Sequence, residues 1–471
     1  MIKKSIGILA LVLCISLINV RTARPQDKHE SRQPNILVIF SDQHSAWAMS
    51  SAGADFIQTP HLDRLADDGV MFTNAYTTNP VCMPARVSMM TGRMPSELGM
   101  NYNGAVDSFF VSPALGEHLK NAGYETAWIG KSHLRPTADR GLDTFMVFNH
   151  DDARSTRESL EFIKQDRERP FFLLTNYHRS HDISQYARKI GNNPDEIIPQ
   201  GELERIPHED YLPPLPDNFE IPAHEPTAIR EIVVPAHLSI YTLVNADERA
   251  WREYLWAYGR LVEQMDEHIG ALLDGLREEN LYDDMLIIYL SDHGEGSAAH
   301  RWNQKQILYE ASVNVPFIVK PPGGSGIASR IDRVNVVSAI LDLMPTVSDY
   351  AEAGIPEELH GRSVRPLVED PESEAVHLFV VAETTFGSFS DGNHGVSGRM
   401  LRTPQYKYIV YDKGDYREQL FDMLDDPGET LNLAVRPEYR QVLHEYRKIL
   451  RQWILETHDF FDGVPIESDK P

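Results

Sequence analysis

Short apolar runs rich in β-branched and aromatic residues alternate along the chain with longer segments of helical periodicity. Four of these runs predict buried strands, at residues 35–40, 124–130, 170–177 and 285–290. Residues 247–280 place apolar and aromatic side chains on one face at helical spacing, which predicts a long helix packed on the core. The alternation of strands with helices favours a mostly parallel sheet with helices on its faces.

The pattern changes toward the C-terminus. Residues 377–423 contain short strands separated by tight turns, and residues 437–457 have the periodicity of a terminal helix. We therefore predict an α/β protein with a large, mostly parallel or mixed sheet flanked by helices, and a smaller α+β subdomain containing a short antiparallel sheet. The predicted catalytic domain spans residues 33–369, and the predicted C-terminal subdomain spans residues 370–471.

Residues 183–240 interrupt the periodic pattern. They include the proline-rich stretch YLPPLPDNFEIPAHEPT, in which neither helical nor strand spacing persists. Long irregular segments within a compact domain are usually functional loops. We interpret residues 183–240 as an irregular insertion that could serve as a substrate-binding lid.

The first residues have the pattern of an export signal. Lys3 and Lys4 precede an apolar run at residues 6–20, which is shorter than the roughly 20 residues that a membrane-spanning helix needs. We predict a signal peptide at residues 1–23 and an exported protein, periplasmic or secreted, with an uncleaved membrane anchor as the alternative.

Charge excludes one class of partner. The chain has 45 basic and 70 acidic side chains and a formal net charge of −25. Binding to a nucleic-acid backbone needs a basic surface, so nucleic acid is not an expected partner. A small anionic substrate needs only a local cluster of positive groups and remains compatible with this charge.

The chain has only two cysteines, and one of them, Cys14, lies within the predicted export signal. The exported chain would therefore keep Cys82 alone, with no partner for a disulfide. A lone cysteine is often a small buried hydrophobe. The flanking Pro84 and Arg86 indicate a second interpretation, in which Cys82 begins a helix whose free N–H groups stabilise negative charge.

All four predicted buried strands run directly into residues with metal-binding or acid–base side chains. Because ligands of open α/β sheets bind beyond the carboxyl ends of the strands, we expect these residues to share one site. They are Asp42 and Gln43, Lys131 and His133, His178 and His181, and Asp292 and His293. An aspartate after a strand is also a common helix cap, but the two carboxylates and one imidazole together favour a divalent-cation site.

The sequence also resembles a known family. CMPAR followed by TGR, at residues 82–93, is similar to the signature of the type I sulfatases, within the alkaline phosphatase superfamily. NILVIFSDQ, GKSHL and SDHGE resemble that family's metal-binding and active-site segments, and HRWNQKQILYEASVNVP resembles its distal lysine segment. The resemblance extends over nearly all of the chain after the export signal.

The resemblance implies that Cys82 is oxidised to Cα-formylglycine by a formylglycine-generating or an anaerobic sulfatase-maturating enzyme. The hydrated aldehyde would attack the sulfur of a sulfate ester, and its second oxygen would allow sulfate to leave by elimination. The resemblance also implies one divalent cation, Ca²⁺ first, with Mn²⁺ or Mg²⁺ possible. Its implied ligands are Asp42, Gln43, the modified Cys82, Asp292 and His293.

Five further residues receive roles from the resemblance. Arg86 would hold the diol, Lys131 would bridge the diol and a sulfate oxygen, and His133 would hydrogen-bond the diol. His181 and Lys305 would bind the sulfate and help to protonate the leaving oxygen.

Two positions leave alternatives open. The family usually has Pro-His where this chain has Ser180 and His181, so His178 is an alternative to His181. Gln43 stands where many members have aspartate, which resembles the choline-sulfatase and phosphonate monoester hydrolase branches.

The resulting functional hypothesis is a sulfuric-ester hydrolase that removes sulfate from an exported or environmental substrate. A sulfated polysaccharide or oligosaccharide is the expected substrate, as for a polysaccharide-active bacterial sulfatase. The alternatives are a phosphonate monoester or phosphodiester hydrolase on the same scaffold, and a choline or aryl sulfatase. A catalytically silent glycan-binding protein is a further alternative, and no oligomeric state is predicted.

Overall fold

A computed structural model describes the chain over residues 33–100, 102–103, 114–134, 141–323, 329–386 and 395–465. The predicted signal peptide at residues 1–23 lies outside the described residues. The residues from Pro34 onward belong to one compact unit. Among the described residues, no helix combines the length and the apolar character that crossing a membrane requires.

The larger sheet of the described chain has eight strands. They are β1 (Ile36–Asp42), β2 (Val70–Tyr76), β3 (Glu125–Gly130), β4 (Thr144–Val147), β5 (Phe171–Ser180), β6 (Leu286–Ser291), β7 (Phe317–Lys320) and β8 (Arg330–Ser338). Their order is β4-β3-β5-β1-β6-β7-β2-β8. All neighbouring pairs are parallel except the two that involve β7, so the sheet is mixed. The four strands predicted from the sequence are the four neighbours β3, β5, β1 and β6.

The described residues form eleven α-helices. They are α1 (Pro60–Asp67), α2 (Cys82–Thr91), α3 (Leu115–Asn121), α4 (Asp152–Ile163), α5 (Ile183–Gly191), α6 (Val234–Ala236), α7 (Glu248–Glu278), α8 (Glu310–Val313), α9 (Leu343–Tyr350), α10 (Arg365–Glu369) and α11 (Arg440–Glu456). The predicted long helix is α7, and it packs against α1, α4, α5 and β5.

The central strands are buried on both faces, which explains why they read as continuous apolar runs. In β1, Leu37 and Ile39 face a core that they share with α4 and α7. Ile36, Val38 and Phe40 face the opposite core, which contains residues of α2, α3 and α9. Successive side chains of a strand point to opposite faces, so two helical layers cover one sheet.

A second, antiparallel sheet of four strands follows. It contains β9 (Val380–Phe386), β10 (Val396–Arg402), β11 (Tyr406–Tyr411) and β12 (Glu418–Asp422) in the order β12-β11-β10-β9. Leu443, Tyr446 and Leu450 of α11 pack in a core with Leu401, Tyr408 and other residues of this sheet. The predicted fold class is therefore confirmed, and the domain boundary at residues 369/370 stays a prediction.

The structure differs from the sequence prediction at residues 183–240. The beginning of this segment is not irregular, because Ile183–Gly191 forms α5 and buries Ile183, Tyr186 and Ala187. A turn of π-helix at Ile229–Val233 leads into α6. These elements are short and flank the proline-rich stretch, so their apolar spacing covers too few residues to be detected by periodicity.

Candidate active site

The carboxyl ends of β1, β3, β5 and β6 bring the candidate site residues together. Asp42 is the last residue of β1, and Asp292 and His293 directly follow β6. Lys131 and His133 follow β3. The site is completed by His181 after β5, Cys82 at the start of α2, and Lys305 in the segment between β6 and α8.

Cys82 is the first residue of α2 and is fully buried. Its Sγ lies 2.9 Å from Lys305 Nζ, 3.2 Å from His293 Nε2 and 3.6 Å from Asp42 Oδ1. The preceding residue, Val81, has the extended backbone of an N-cap. The thiol therefore combines a helix N-terminus with a lysine and a histidine, which is the environment that stabilises a negative atom.

The pKa of the Cys82 thiol reflects this environment. Burial and the charge of Asp42 would each raise the pKa, but Lys305, His293 and a hydrogen bond from His133 outweigh them. The pKa of the thiol lies well below its usual value as a result. The position is built to hold an anionic or strongly polarised atom rather than a neutral packing residue.

Arg86 joins the two carboxylates of the site. One turn after Cys82, its Nε donates to Asp292 Oδ2 at 2.9 Å and its Nη2 to Asp42 Oδ2 at 3.0 Å. Its Nη1 donates to Asn176 Oδ1 at 3.3 Å. All of these side chains are fully buried, so the guanidinium compensates charges that water cannot reach.

The two carboxylates differ in electrostatic environment. Burial would raise the pKa of Asp42, but nearby positive charges, first that of Lys131 with its Nζ 2.6 Å from Asp42 Oδ2, hold it well below its usual range. Burial and then the negative charge of Asp42 raise the pKa of Asp292 to about 6. Asp42 therefore releases its proton at lower pH than Asp292 does.

The donor atoms of Asp42, Cys82, Asp292 and His293 lie within 4.8 Å of one another. His293 Nδ1 is 2.8 Å from the carbonyl oxygen of Gly294, which orients Nε2 toward the cluster. Two carboxylates and one imidazole suit a divalent cation, and the sulfur of Cys82 marks where the oxygens of a modified residue would stand. The residues present therefore fit the predicted cation.

Gln43 lies beside this set in the left-handed backbone region, with φ of +67°. Its backbone N–H donates to Asp292 Oδ1 at 3.0 Å, and its side-chain oxygen accepts from Lys305 Nζ at 3.2 Å. Its side-chain amide donates to the buried Glu295. Glu295 also accepts hydrogen bonds from Tyr254 and from the backbone N–H groups of Gln304 and Ser297, so four donors orient this carboxylate.

Glu295 is a site residue that sequence reasoning missed. It ends the SDHGE motif, but a single glutamate after a strand carries no distinguishing pattern. Its contact with Gln43 joins positions 252 residues apart, which no local spacing could indicate.

The structure distinguishes the two histidines that the sequence left as alternatives. His181 hydrogen-bonds Cys82, and burial together with the charges of Lys131 and Lys305 lowers its pKa well below the usual value. His178 lies within β5, which extends to Ser180, and its Nε2 contacts Asp182 instead. His181 is therefore the histidine that shares the site with Cys82.

His133 reaches Cys82 through an irregular backbone turn after β3. Its φ is +52°, and the preceding Gly130 has φ of +108°. A Cβ at Gly130 would collide with the backbone oxygen of Asn176 in β5, so only glycine allows this close approach.

Comparison with known proteins gives the family. The sulfatase domain matches residues 34–353, and the domain described as N-sulphoglucosamine sulphohydrolase, C-terminal, matches residues 298–456. The Delta 4,5-hexuronate-2-O-sulfatase of Bacteroides thetaiotaomicron is 29% identical over 458 residues, covering 93% of this chain and 92% of its own.

Two further proteins are similar over most of their length. The ulvan-active sulfatase of Formosa agariphila is 29% identical over 481 residues, covering 96% of this chain and 88% of its own. The solved structure of a 2-O GAG sulfatase has a TM-score of 0.81 at 26% identity, covering 93% of this chain and 95% of its own. The chain belongs to the sulfatase family and is a sulfuric-ester hydrolase.

Proposed function

Starting from membership of the sulfatase family, we propose that this enzyme removes sulfate from sulfated carbohydrates with a formylglycine made from Cys82 and one divalent cation. The observation that carries the proposal is the position of Cys82 at the start of α2, 2.9 Å from Lys305 and within the Asp42, Asp292 and His293 cluster. The hydrated aldehyde of formylglycine supplies an oxygen nucleophile for the sulfur of the substrate.

The proposed cation would be held by Asp42, Asp292, His293, the modified Cys82 and the side-chain oxygen of Gln43. It would supply Lewis acidity beside the sulfate and the attacking hydroxyl. Predominantly oxygen ligands favour Ca²⁺, and the single imidazole leaves Mn²⁺ and Mg²⁺ as the alternatives.

The chain's own cations would bind and orient the sulfate. Lys305 is buried, and although burial lowers its pKa, the charge of the unmodified Cys82 and then that of Asp42 raise it overall. In the modified enzyme, Asp42 would still favour the charged ammonium. Lys131 is a second buried lysine, with its Nζ 2.6 Å from Asp42 Oδ2. Fixed cations in a buried site stabilise the negative charge of the transition state more strongly than in water.

His181 is the proposed proton donor to the leaving oxygen. Burial and the neighbouring lysines keep its pKa low without substrate. A bound sulfate beside Lys131 and Lys305 would offset those positive charges and raise the pKa of His181 toward neutrality. The histidine would thus gain its proton only when substrate is present.

The substrate class rests on the relatives. One acts on a hexuronate carrying a 2-O-sulfate and another on ulvan, according to their names. An exported enzyme would meet such polymers outside the cytoplasm, so we propose that the segment at residues 1–23 directs export. Sequencing the N-terminus of the protein recovered from its native host tests that part, and an unprocessed Met1 on a cytoplasmic protein would contradict it.

Peptide mass spectrometry over residues 79–93 tests the modification. Conversion of Cys82 to formylglycine lowers the peptide mass by about 18 Da. The protein should be produced together with a formylglycine-generating or anaerobic sulfatase-maturating enzyme. A fully active preparation that contains only the unmodified thiol would overturn the proposed nucleophile.

Kinetics test the substrate. The values of kcat/KM for sulfated oligosaccharides, an aryl sulfate, choline sulfate and an aryl phosphodiester are compared on the same preparation. We expect a sulfated oligosaccharide to have the highest value. A preference for the phosphodiester would instead support a phosphonate monoester or phosphodiester hydrolase on the same fold.

A further inference from the structure

A second group of metal-binding side chains lies beside the active site. It consists of His150, His178 and Asp182, here called the histidine cluster. His150 lies between β4 and α4, His178 near the end of β5, and Asp182 directly before α5. The three donor atoms lie within 4.8 Å of one another, and none of them belongs to the set around Cys82.

One nitrogen atom of the cluster contacts both of the other side chains. His178 Nε2 lies 3.0 Å from Asp182 Oδ1 and 3.2 Å from His150 Nδ1. A ring nitrogen carries either one hydrogen or one lone pair, so it cannot form two full hydrogen bonds at once. A hydrogen on Nε2 that is donated to the carboxylate can at best be shared with a lone pair on His150 Nδ1. A cation bound by all three donor atoms would engage each of them fully.

The separations also fit a cation. Zinc binds nitrogen and oxygen ligands at about 2.0–2.2 Å, so two ligands of a tetrahedral site stand roughly 3.4 Å apart. The two measured separations of the cluster, 3.0 and 3.2 Å, are close to that value. Two imidazoles and one carboxylate form a ligand set typical of zinc sites with an open fourth position.

The surroundings hold the cluster in place and leave one side open. The second carboxylate oxygen of Asp182 is 3.5 Å from Gln200 Nε2, and the backbone N–H of His178 donates to Asp152 Oδ1 at 2.6 Å. His178 and Asp182 are buried, whereas His150 is exposed. The backbone contact fixes the position of His178, the contact with Gln200 helps to orient Asp182, and the exposed His150 gives an ion a path from solvent.

We propose that His150, His178 and Asp182 form a zinc site distinct from the proposed catalytic cation site. A zinc ion there would join the start of α5 to β5 and to the segment that precedes α4. His181, three residues after His178, has its ring centroid 5.0 Å from that of His178. The site would therefore fix the backbone that carries His181. This proposal does not depend on the proposed function.

Zinc titration of the full chain tests the site. The protein is first saturated with Ca²⁺, which binds imidazole poorly, and then titrated with Zn²⁺ by calorimetry. We compare wild type with His150→Ala, because His150 is exposed and its loss should not affect folding. His208→Ala is the matched control, since His208 is an exposed histidine whose Nδ1 lies 3.2 Å from Asp210.

Wild type and His208→Ala should bind one more equivalent of zinc than His150→Ala, or bind it at least about tenfold more tightly. Zinc should raise the Tm of the first two proteins but not that of His150→Ala. Co²⁺ loaded in place of zinc should give the strong visible absorption of a four-coordinate site only when His150 is present. Absence of zinc binding in wild type, or equal binding with and without His150, would overturn the proposal.

Discussion

Two clusters of charged side chains in this protein have the same arrangement but a different balance of charge. In the active site, Arg86 lies between Asp42 and Asp292. Near the second sheet, Lys407 lies between Glu310 at 2.9 Å and Glu429 at 2.7 Å. Each cluster places one buried cation between two carboxylates, and of the four carboxylates only Glu310 is partly exposed to solvent.

The active-site cluster contains more cations than carboxylates, whereas the other cluster contains equal numbers of the two. Lys131 and Lys305 join Arg86, so three cations face two carboxylates around Cys82. In the other cluster, Arg402 donates to Tyr76, whose hydroxyl donates to Glu310, so two cations balance two carboxylates. A surplus of positive charge attracts an anion, whereas a balanced cluster only stabilises the fold.

Removing the thiol should have the largest effect. Cys82→Ala should lower kcat for sulfate release by at least about 10⁴-fold, because the proposed nucleophile is lost. The measurement is sulfate release from the best substrate of the panel. The Tm should change little, since the surrounding charges keep their partners, and a variant that retained more than a hundredth of the activity would contradict a role for Cys82.

Replacing the central cation of each cluster, Arg86 or Lys407, tests whether that cation stabilises the two carboxylates beside it. Arg86→Gln and Lys407→Gln should each lower the free energy of unfolding by about 3–5 kcal/mol, because each leaves buried carboxylates uncompensated. Urea denaturation measures both. Added Ca²⁺ should restore part of the stability of Arg86→Gln only, since the proposed cation shares Asp42 and Asp292. Equal recovery of both variants would show that the clusters do not differ in this way.

The cluster around Lys407 should make the stability of the folded protein depend on pH. Burial is the main cause that raises the pKa of Glu429 to about 7 from 4.5. The folded protein therefore holds this proton more tightly than the unfolded chain, so the contribution to stability is complete below about pH 4.5 and is lost as the pH rises through about 7. When the pH is raised from 5 to 8, the free energy of unfolding of wild type should fall by up to about 3 kcal/mol more than that of Glu429→Gln.

The stability of both proteins is measured by urea denaturation at each pH. Glu429→Gln is a close control because glutamine has the same shape, keeps one of the two acceptor oxygens that Lys407 and the backbone N–H of Glu310 contact, and cannot take up a proton. If the free energies of unfolding of the two proteins changed with pH in parallel, Glu429 would not be the group responsible for the pH dependence.

The smallest expected effect concerns Gln43. Gln43→Asp places a carboxylate beside Glu295 and should lower the free energy of unfolding by about 1–2 kcal/mol in metal-free protein. Glu295→Gln in the same chain should recover most of this loss, because glutamine can donate to the new aspartate. Unfolding of the two single variants and the double variant gives the coupling directly, and simple additivity would mean that positions 43 and 295 do not interact.

Much of this fold could be predicted because its signals are local. The four central strands are apolar runs bounded by polar residues, and α7 has a long amphipathic pattern. The C-terminal strands were likewise marked by their turns. Helix α5 was missed because nine residues beside a proline-rich stretch give too short a pattern.

The sequence by itself determined which residue types stand at the ends of the strands and at the start of α2. The motifs at Asp42, Cys82 and Asp292 depend only on short spacings, so they could be recognised without coordinates. The same holds for Pro84 and Arg86, which identify the helix that begins at Cys82.

Only the tertiary structure decided how these residues meet. The packing of the strands and of the segments that follow them brings Lys305 to Cys82 across 223 residues, places His181 rather than His178 beside the thiol, and pairs Gln43 with Glu295. It also brought His150 to His178, which no motif had indicated. Local patterns fix what each segment becomes, but the packing of buried faces over long separations in the chain fixes which segments become neighbours.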